Sequence, residues 1–519
     1  MPFVNTEKKP QLIQPSDATA RRIYWLNNIR TKREDGSLVE LKPTPEQMAV
    51  AIAKCSRSST PFDQNIDDVT LEKAAEFHEK WVVGYGHSSV SEHAVASVAF
   101  QNIPQIIVKI LEDSRLASYT EKSSRYQVFT RDRVGVPETL AQSEFAPAVT
   151  ALFDKLYGLY DECYDLLKPI MEERCPKGDL PDSARAAVIK AMICDRVRYL
   201  LPAASLTSVG MTANARVWEH VIVKLLSSDD VLAQQVGEEI KSVLTGFVHL
   251  DRDQALRHFP FPTLLKYANP NAYLASLPKD LGEIARTMNA DDDQAGGANA
   301  HQPVVCTFDD NLAERRIAAS LLVKFGEMSM NKAMNVLAHD LEMQDNILIT
   351  ALEKRGPHDP PPREFEHAWF EHEIVMDYGA WRDIQRHRIC TQTNQRLGTD
   401  LGFDIPQEFD LIGKGKEFTD VMQEAHELNH RLIEAGMLAD SEYVVPMAYR
   451  RRMVVSWNLR ELFHFIELRS GKKGHMSYRR IAQEVWKSLN ASHPLIASFI
   501  RVDFSEMETS TLGEKPKGF

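Results

Sequence analysis

Apolar residues recur at three- and four-residue spacings over residues 148–170, 184–199, 315–352, 418–437 and 478–489, a period that predicts amphipathic helices. The runs that follow Glu92-His93 and Glu366-His367 read differently. Residues 94–100 and 368–375 alternate loosely and contain Val and Phe, which predicts strands. Long helices around a modest sheet define a mixed α/β (α+β) class. Residues 289–302 include Asp291-Asp-Asp-Gln-Ala-Gly-Gly-Ala-Asn, acidic and small residues without large apolar anchors, and read as a linker. The expected organisation is a first unit over 1–288, a linker over 289–302 and a second unit over 303–519.

The two parts share an order of blocks. Each carries Glu-His before its apolar run (Glu92-His93, Glu366-His367), then an arginine-bearing polar stretch, Ser114 to Tyr126 in the first part and Arg386 to Arg396 in the second. Each then has an apolar-Pro step, Leu201-Pro202 and Val445-Pro446, followed at the same interval by Asn214-Ala-Arg216 and Asn458-Leu-Arg460, with His220 and His464 beyond. Three matched blocks in one order point to an internal duplication.

Composition narrows the class. With 43% hydrophobic and 26% charged residues in 519, the chain has the makings of two folded cores rather than a disordered polymer. A net charge of −12 argues against a surface that wraps nucleic acid or lies on an anionic membrane, so an anionic substrate must meet a local basic pocket. Six cysteines without a CxxC pair suggest neither a zinc ribbon nor a disulfide scaffold, and fit a reducing cytosol. The N-terminus shows no apolar stretch of signal-peptide length, and no run of 18 uncharged apolar residues occurs, so a soluble cytoplasmic protein is expected.

Several side-chain groups could carry chemistry. Arg386, His387 and Arg388 crowd guanidinium forks that suit a dinucleotide's pyrophosphate, although a short basic run is also an ordinary solvated patch. Glu121, Ser123, Arg125 and Tyr126 offer an acceptor, a hydroxyl and a fork, enough for a nucleotide monophosphate or simply a polar turn. Arg198 lies on a predicted helix with Asp195 and Arg196, Arg216 follows Asn214, and Arg460 and Arg469 sit on a late helix of the second part; surface ion pairs are the plain alternative for each. His426-Glu-Leu-Asn-His430 matches the zincin HExxH pattern, but the extended form fails at Ile433 and both histidines share the polar face of their helix. No glycine-rich phosphate loop is present, and Ser470-Gly-Lys-Lys-Gly474 has the wrong spacing for one.

Taken together, the blocks resemble the flavin-dependent thymidylate synthases, whose subunits carry Gly-His-x-Ser/Thr-x-x-Glu-His, then Arg-His-Arg-x-x-Ser-x-Asn-Glu-x-Ser-x-Arg-Tyr, then Asn-x-Arg and a downstream arginine. The first part matches at Gly86-His87-Ser88-Ser89, Glu92-His93, Ser118, Glu121, Ser123, Arg125 and Tyr126, but has Asp113-Ser114-Arg115 for Arg-His-Arg. The second keeps Arg386-His387-Arg388 but has Asn394, Arg396, Gly398 and Thr399 where the family has Glu, Ser, Arg and Tyr. Likewise Asp195 and Arg198 resemble the family's acidic residue and nucleotide-binding arginine, while Glu442 holds the second-half place; Arg469 resembles the uracil arginine, opposite Leu225. The losses are complementary, which implies two diverged copies sharing one composite site.

The resemblance implies reductive methylation of dUMP to dTMP. Arg469 would act on the pyrimidine, and Glu121, Ser123, Arg125, Arg198 and Asp383 would bind substrate. FAD would be held by Arg386, His387 and Arg388 with His87, Ser89, Asn214, Arg216, Asn458, Arg460 and His464. Methylenetetrahydrofolate and NADPH would be co-substrates. No metal, nucleic acid or membrane is implied, and a homodimer would form a pseudo-tetramer. Asp383 stands where the family has glutamine, and Pro360-Pro361-Pro362 interrupts the second His-x-Ser/Thr stretch, which leaves open another pyrimidine nucleotide or a non-catalytic nucleotide-binding protein.

Overall fold

The computed structural model describes residues 11–13, 26, 29–32, 36–58, 62–178, 181–246, 252–288 and 297–505. Residues 289–296 of the expected linker lie outside that set. The chain forms two compact units that cut across the sequence halves. The first unit is Met1–Gln101, Leu116–Glu121 and Ser208–Ala290; the second is Asn102–Arg115, Lys122–Thr207 and Asp291–Phe519. Much of the first half, including Arg125 and Arg198, therefore clusters with the second half of the sequence.

Strands β1 (Gln11–Ile13), β2 (Ile29–Lys32) and β3 (Leu38–Leu41) form a small sheet near the start of the chain. Strands β4 (Val95–Pro104), β5 (Ala117–Glu121) and β6 (Leu206–Asn214) pair in the order β4-β6-β5. The second unit holds β7 (Val304–Asp309), β8 (Trp369–Asp377), β9 (Cys390–Asn394) and β10 (Arg450–Asn458), antiparallel in the order β7-β8-β10-β9. Without its added edge strand, this sheet has the same strand order as the β4-β6-β5 sheet, so the mixed class read from periodicity holds. The Glu-His pairs themselves close short 3-10 turns, Ser88–His93 and Arg363–His367, and the strands begin only after them.

The predicted helices form with modest changes of boundary. Ala146–Arg174, Asp182–Val197, Gly415–Glu434 and Met476–Ser492 cover four of the five periodic segments. The fifth, expected unbroken over 315–352, is three helices: Ala313–Gly326, Met330–Leu337 and Leu341–Leu352. The first ends at Glu327 in the left-handed conformation (φ 50°), and Ser329 and Asp340 cap the next two by accepting from Lys332 N and Met343 N. Caps of this kind start new helices whatever the apolar period says.

Backbone bonds repeat at matched positions. Asn214 and Asn458 each cap a helix, accepting from Val217 N at 3.0 Å and Glu461 N at 2.9 Å. The next residues bond back to matched carbonyls, Ala215 N to Ala94 O and Leu459 N to Ala368 O. Arg216 pairs with Glu92 just as Arg460 pairs with Glu366. Inside the second unit, Ala203 N donates to Val445 O and Met447 N to Leu201 O, both at 2.9 Å, the reciprocal exchange expected of two-fold-related segments. Buried Trp381, Trp457, Tyr443, Tyr449, Phe463 and Phe465 fill the core beneath these segments, each contributing roughly 2–3 kcal/mol of apolar burial.

Candidate functional site

A turn after β5 places the first arginine. Ser123 Oγ accepts from Arg125 N at 3.2 Å, and Ser123 O accepts from Gln127 N at 3.1 Å. Arg125 then forks onto Asp195, Nε to Oδ1 at 2.7 Å and Nη2 to Oδ2 at 2.9 Å, and its Nη1 donates to Tyr478 Oη at 2.9 Å. Burial alone would raise the Asp195 carboxyl, but the hydrogen bonds and charge of Arg125, with His475 and Arg198 nearby, hold it down at about 2.

Arg198 follows Asp195 by three residues, so the helix end presents both on one side. It is 1% exposed, and its Nε and Nη2 have no hydrogen-bond partner among the described residues. Gly379 permits this position: a Cβ there would stand 3.0 Å from Asp377 Oδ1 and 3.3 Å from Arg198 Nη2. Arg198 Nη1 lies 3.9 Å from Asp383 Oδ2. A buried guanidinium with donors to spare is costly unless an anion completes it.

Arg469 closes the other side from the last turn of the helix Leu459–Arg469. Its Nε donates to His387 Nε2 at 2.9 Å, its Nη2 to Asp383 O at 2.5 Å, and its Nη1 lies 3.6 Å from Asp383 Oδ1. Because Nε2 of His387 accepts, its proton belongs on Nδ1, which donates to Glu461 Oε1 at 2.8 Å. Burial, reinforced by the Arg469 charge, keeps His387 well below its ordinary pKa and therefore neutral. Burial also raises the Glu461 carboxyl. The chain Glu461–His387–Arg469 thus fixes the guanidinium from behind.

Two residues join contributions from the sequence halves. Asp383 stands between Arg198 and Arg469, and Tyr478 has Arg125 Cζ 5.7 Å and Arg469 Cζ 5.4 Å from its ring centre. Arg125, Arg198, Asp383 and Arg469 come together within the second unit, as does Ser123 in the turn that carries Arg125. An adjoining cavity of about 670 Å³ has Arg125, Asp195, Tyr199, Lys473, His475 and Arg480 in its wall, whereas Arg198 and Arg469 lie outside its lining.

The expected cofactor residues are distributed. Arg386 pairs with the buried Glu112 at 2.7 Å, and Arg388 donates to Arg115 O at 3.2 Å; both keep partial exposure. His387 is buried, and exposed His464 has its ring centre 5.3 Å away. The Asn458 side chain is engaged as a cap, and Arg460 bonds Pro361 O and Glu366. His87, Ser89, Glu121, Asn214 and Arg216 belong to the first unit, where His87 and Ser89 are exposed, Asn214 is a cap and Arg216 pairs with Glu92.

The matching place in the second half is closed on itself. Glu442, at the position equivalent to Arg198, accepts from Arg396 at 3.1 Å and from Leu397 N at 3.0 Å. Leu225, at the place of Arg469, is fully buried in the first unit. Sequence reasoning did not find Tyr478, His475 or Glu461. Glu461 adjoins the Asn-x-Arg block and was within reach of pattern reading; Tyr478 and His475 carry no local signal beyond the start of a helix.

The family model described as thymidylate synthase complementing protein matches residues 37–244 and again residues 310–495. The chain belongs to that family. Among its relatives, a UPF0159 protein of Chlamydia muridarum is 30% identical over 465 residues, 87% of this chain and 85% of the relative. A flavin-dependent thymidylate synthase of Thermococcus onnurineus is 31% identical over 152 residues, 29% of this chain and 54% of the relative. A crystal structure of flavin-dependent thymidylate synthase from Helicobacter pylori with FAD and dUMP aligns at 18% identity and TM-score 0.29, covering 38% of this chain and all of that one.

Proposed function

We propose that this chain is a flavin-dependent thymidylate synthase that converts dUMP to dTMP, with methylenetetrahydrofolate as carbon donor and NADPH as reductant, at one composite site per duplicated chain. The observation that carries this reading is the convergence on Asp383 and Tyr478 of Arg125 and Arg198 from the first half and Arg469 from the second.

Arg198 would bind the nucleotide phosphate, its buried Nε and Nη2, which have no hydrogen-bond partner among the described residues, gaining a charge-assisted one once the site takes up the anion. Arg125 and Ser123 would hold the phosphate and sugar. Arg469 would lie along the pyrimidine edge and stabilise negative charge as C5 becomes nucleophilic, in an orientation fixed by neutral His387 and Glu461. No nucleophilic side chain is required of Ser123, since no base contacts its hydroxyl among the described bonds.

The basic residues fit a flavin dinucleotide. Arg386 and Arg388 are half-buried on either side of buried His387, and their guanidinium groups are the donor type a pyrophosphate takes. His464, Arg460 and Asn458 are the further candidates in the same unit. When bound, FAD supplies the two-electron reduction that the side chains cannot. The protein would work in the cytoplasm as a homodimer resembling a four-subunit assembly; no described helix is long and apolar enough to cross a membrane.

A second reading, methylation of another pyrimidine nucleotide, draws on Asp383, an acceptor where the family places an amide. Purified protein given FAD, NADPH, methylenetetrahydrofolate and dUMP should form dTMP, detected by mass, and Arg469→Ala should lose it. Product from UMP or dCMP but not from dUMP would establish the second reading; no flavin uptake and no product from any of them would refute both.

A further inference from the structure

The loop Thr399-Asp400 and the helix Gly415–Glu434 gather side chains that the proposed synthase chemistry does not use. His426 and His430 stand one helical turn apart with ring centres 4.3 Å from each other. His430 Nε2 is 2.8 Å from Asp400 Oδ1, and one ligand-capable atom from each of Asp400, His426 and His430 lies within 4.8 Å of the others.

A buried chain of hydrogen bonds fixes which nitrogen His426 offers. Asn429 Nδ2 donates to Ser441 O at 2.8 Å, so its Oδ1 is turned to Thr399 and can only accept. The Thr399 hydroxyl therefore donates to Asn429 Oδ1 at 3.2 Å, and its oxygen accepts Nδ1–H of His426 at 2.8 Å. Asn429 is 1% exposed and Thr399 2%, so water does not compete for these bonds. The His426 proton is thereby held on Nδ1 and the Nε2 lone pair is left to bind. A metal-binding imidazole is oriented in the same way, by an acceptor behind its distal nitrogen.

We propose that Asp400, His426 and His430 form a binding site for a divalent transition-metal ion, with zinc the best match to two imidazoles and a carboxylate. His426 and His430 would bind through Nε2 and Asp400 through one oxygen, with water completing a tetrahedral set. The other three-residue cluster, His387, Glu461 and His464, is no such site, because Arg469 and Glu461 already occupy both His387 nitrogens.

The role proposed for the ion is structural. The site joins the loop to the helix in the copy whose nucleotide place is taken by Arg396 and Glu442, and Thr399 stands where the first half carries Tyr126. The proposal does not depend on the synthase reading.

The test uses the full chain, freed of metal by chelation and titrated with Zn²⁺ alone by calorimetry, with its thermal midpoint followed in parallel. One saturable ion per chain and a raised midpoint are expected. His430→Ala, at a side chain 41% exposed, should fold as the metal-free parent does and lose both the ion and the rise in midpoint. Thr399→Val keeps all three ligands and should weaken binding by about 10- to 100-fold, the usual effect of losing such a supporting bond. No saturable uptake, or uptake unchanged in His430→Ala, would overturn the site; equal affinity in Thr399→Val would overturn the orienting role of the hydroxyl.

Discussion

Arg198 shows how far single residues decide the site. Its guanidinium is buried with two unpaired donors and lies against Gly379, where no side chain fits without moving it. Gly379→Ala should weaken dUMP binding by about tenfold, and Arg198→Ala by about 10- to 100-fold, the range for losing a charge-assisted hydrogen bond in a buried site. Calorimetry of nucleotide binding checks both, and unchanged affinity in Gly379→Ala would show that Arg198 does not hold the phosphate from this position. Asp195 adds a pH dependence. Its folded pKa of about 2 lies below the ordinary 3.8, so it stabilises the fold by on the order of 2 kcal/mol above pH 4, and that contribution is lost as pH falls through about 2. Urea unfolding should therefore find the parent ahead of Asp195→Asn at pH 6, with the gap narrowing toward pH 3; a gap independent of pH would contradict the ion pair. Arg125 was singled out by its place in the long motif, and Arg198 and Arg469 by their resemblance to separate family arginines; the structure brings all three to Asp383 or Tyr478. Tyr478 was not legible, since a tyrosine near the start of an amphipathic helix looks like any other until Arg125 is seen to donate to it.

At the scale of elements, a cap explains why Asn-x-Arg recurs. Asn214 and Asn458 both end a strand and start a helix, and the arginine two residues on pairs with the glutamate of Glu-His. This is a structural use for residues that the family resemblance assigns to the cofactor. Asn458→Ala should cost about 1 kcal/mol in unfolding free energy, the worth of a helix cap, whereas Asn458→Asp should preserve it because a carboxylate accepts from Glu461 N equally well. If flavin affinity falls in both variants while stability falls only in the alanine, the side chain serves both roles; equal stability of all three proteins would contradict the cap. Helix periods placed most elements correctly, because an apolar stripe survives any tertiary context. They failed over 315–352, where three helices share a nearly continuous stripe and only Ser329 and Asp340 mark the breaks. Strand order and pairing were out of reach for the same reason: alternation marks a strand but not its neighbour.

For the whole molecule, the halves of the sequence and the compact units of the fold are different divisions. Residues 122–207 cluster with the second half, which is what brings Arg125 and Arg198 beside Asp383 and within the same unit as Arg469. Complementary motif loss pointed to a shared site, yet only the structure showed that the shared residues meet within one chain. Arg125→Ala and Arg469→Ala should each abolish dTMP formation, and a mixture of the two variants should stay inactive, because every site needs both residues from the same chain. Recovery of activity on mixing would mean that sites form between chains instead. The counterpart place, filled by Arg396 and Glu442, should bind no nucleotide. The most direct measurement is dUMP binding to the full chain by calorimetry: one nucleotide per chain, bound about 10- to 100-fold more weakly in Arg198→Ala and with unchanged affinity in Glu442→Gln, is the expected result, and two per chain, or an affinity that Arg198→Ala leaves unchanged, would contradict a single site built around Arg125, Arg198, Asp383 and Arg469.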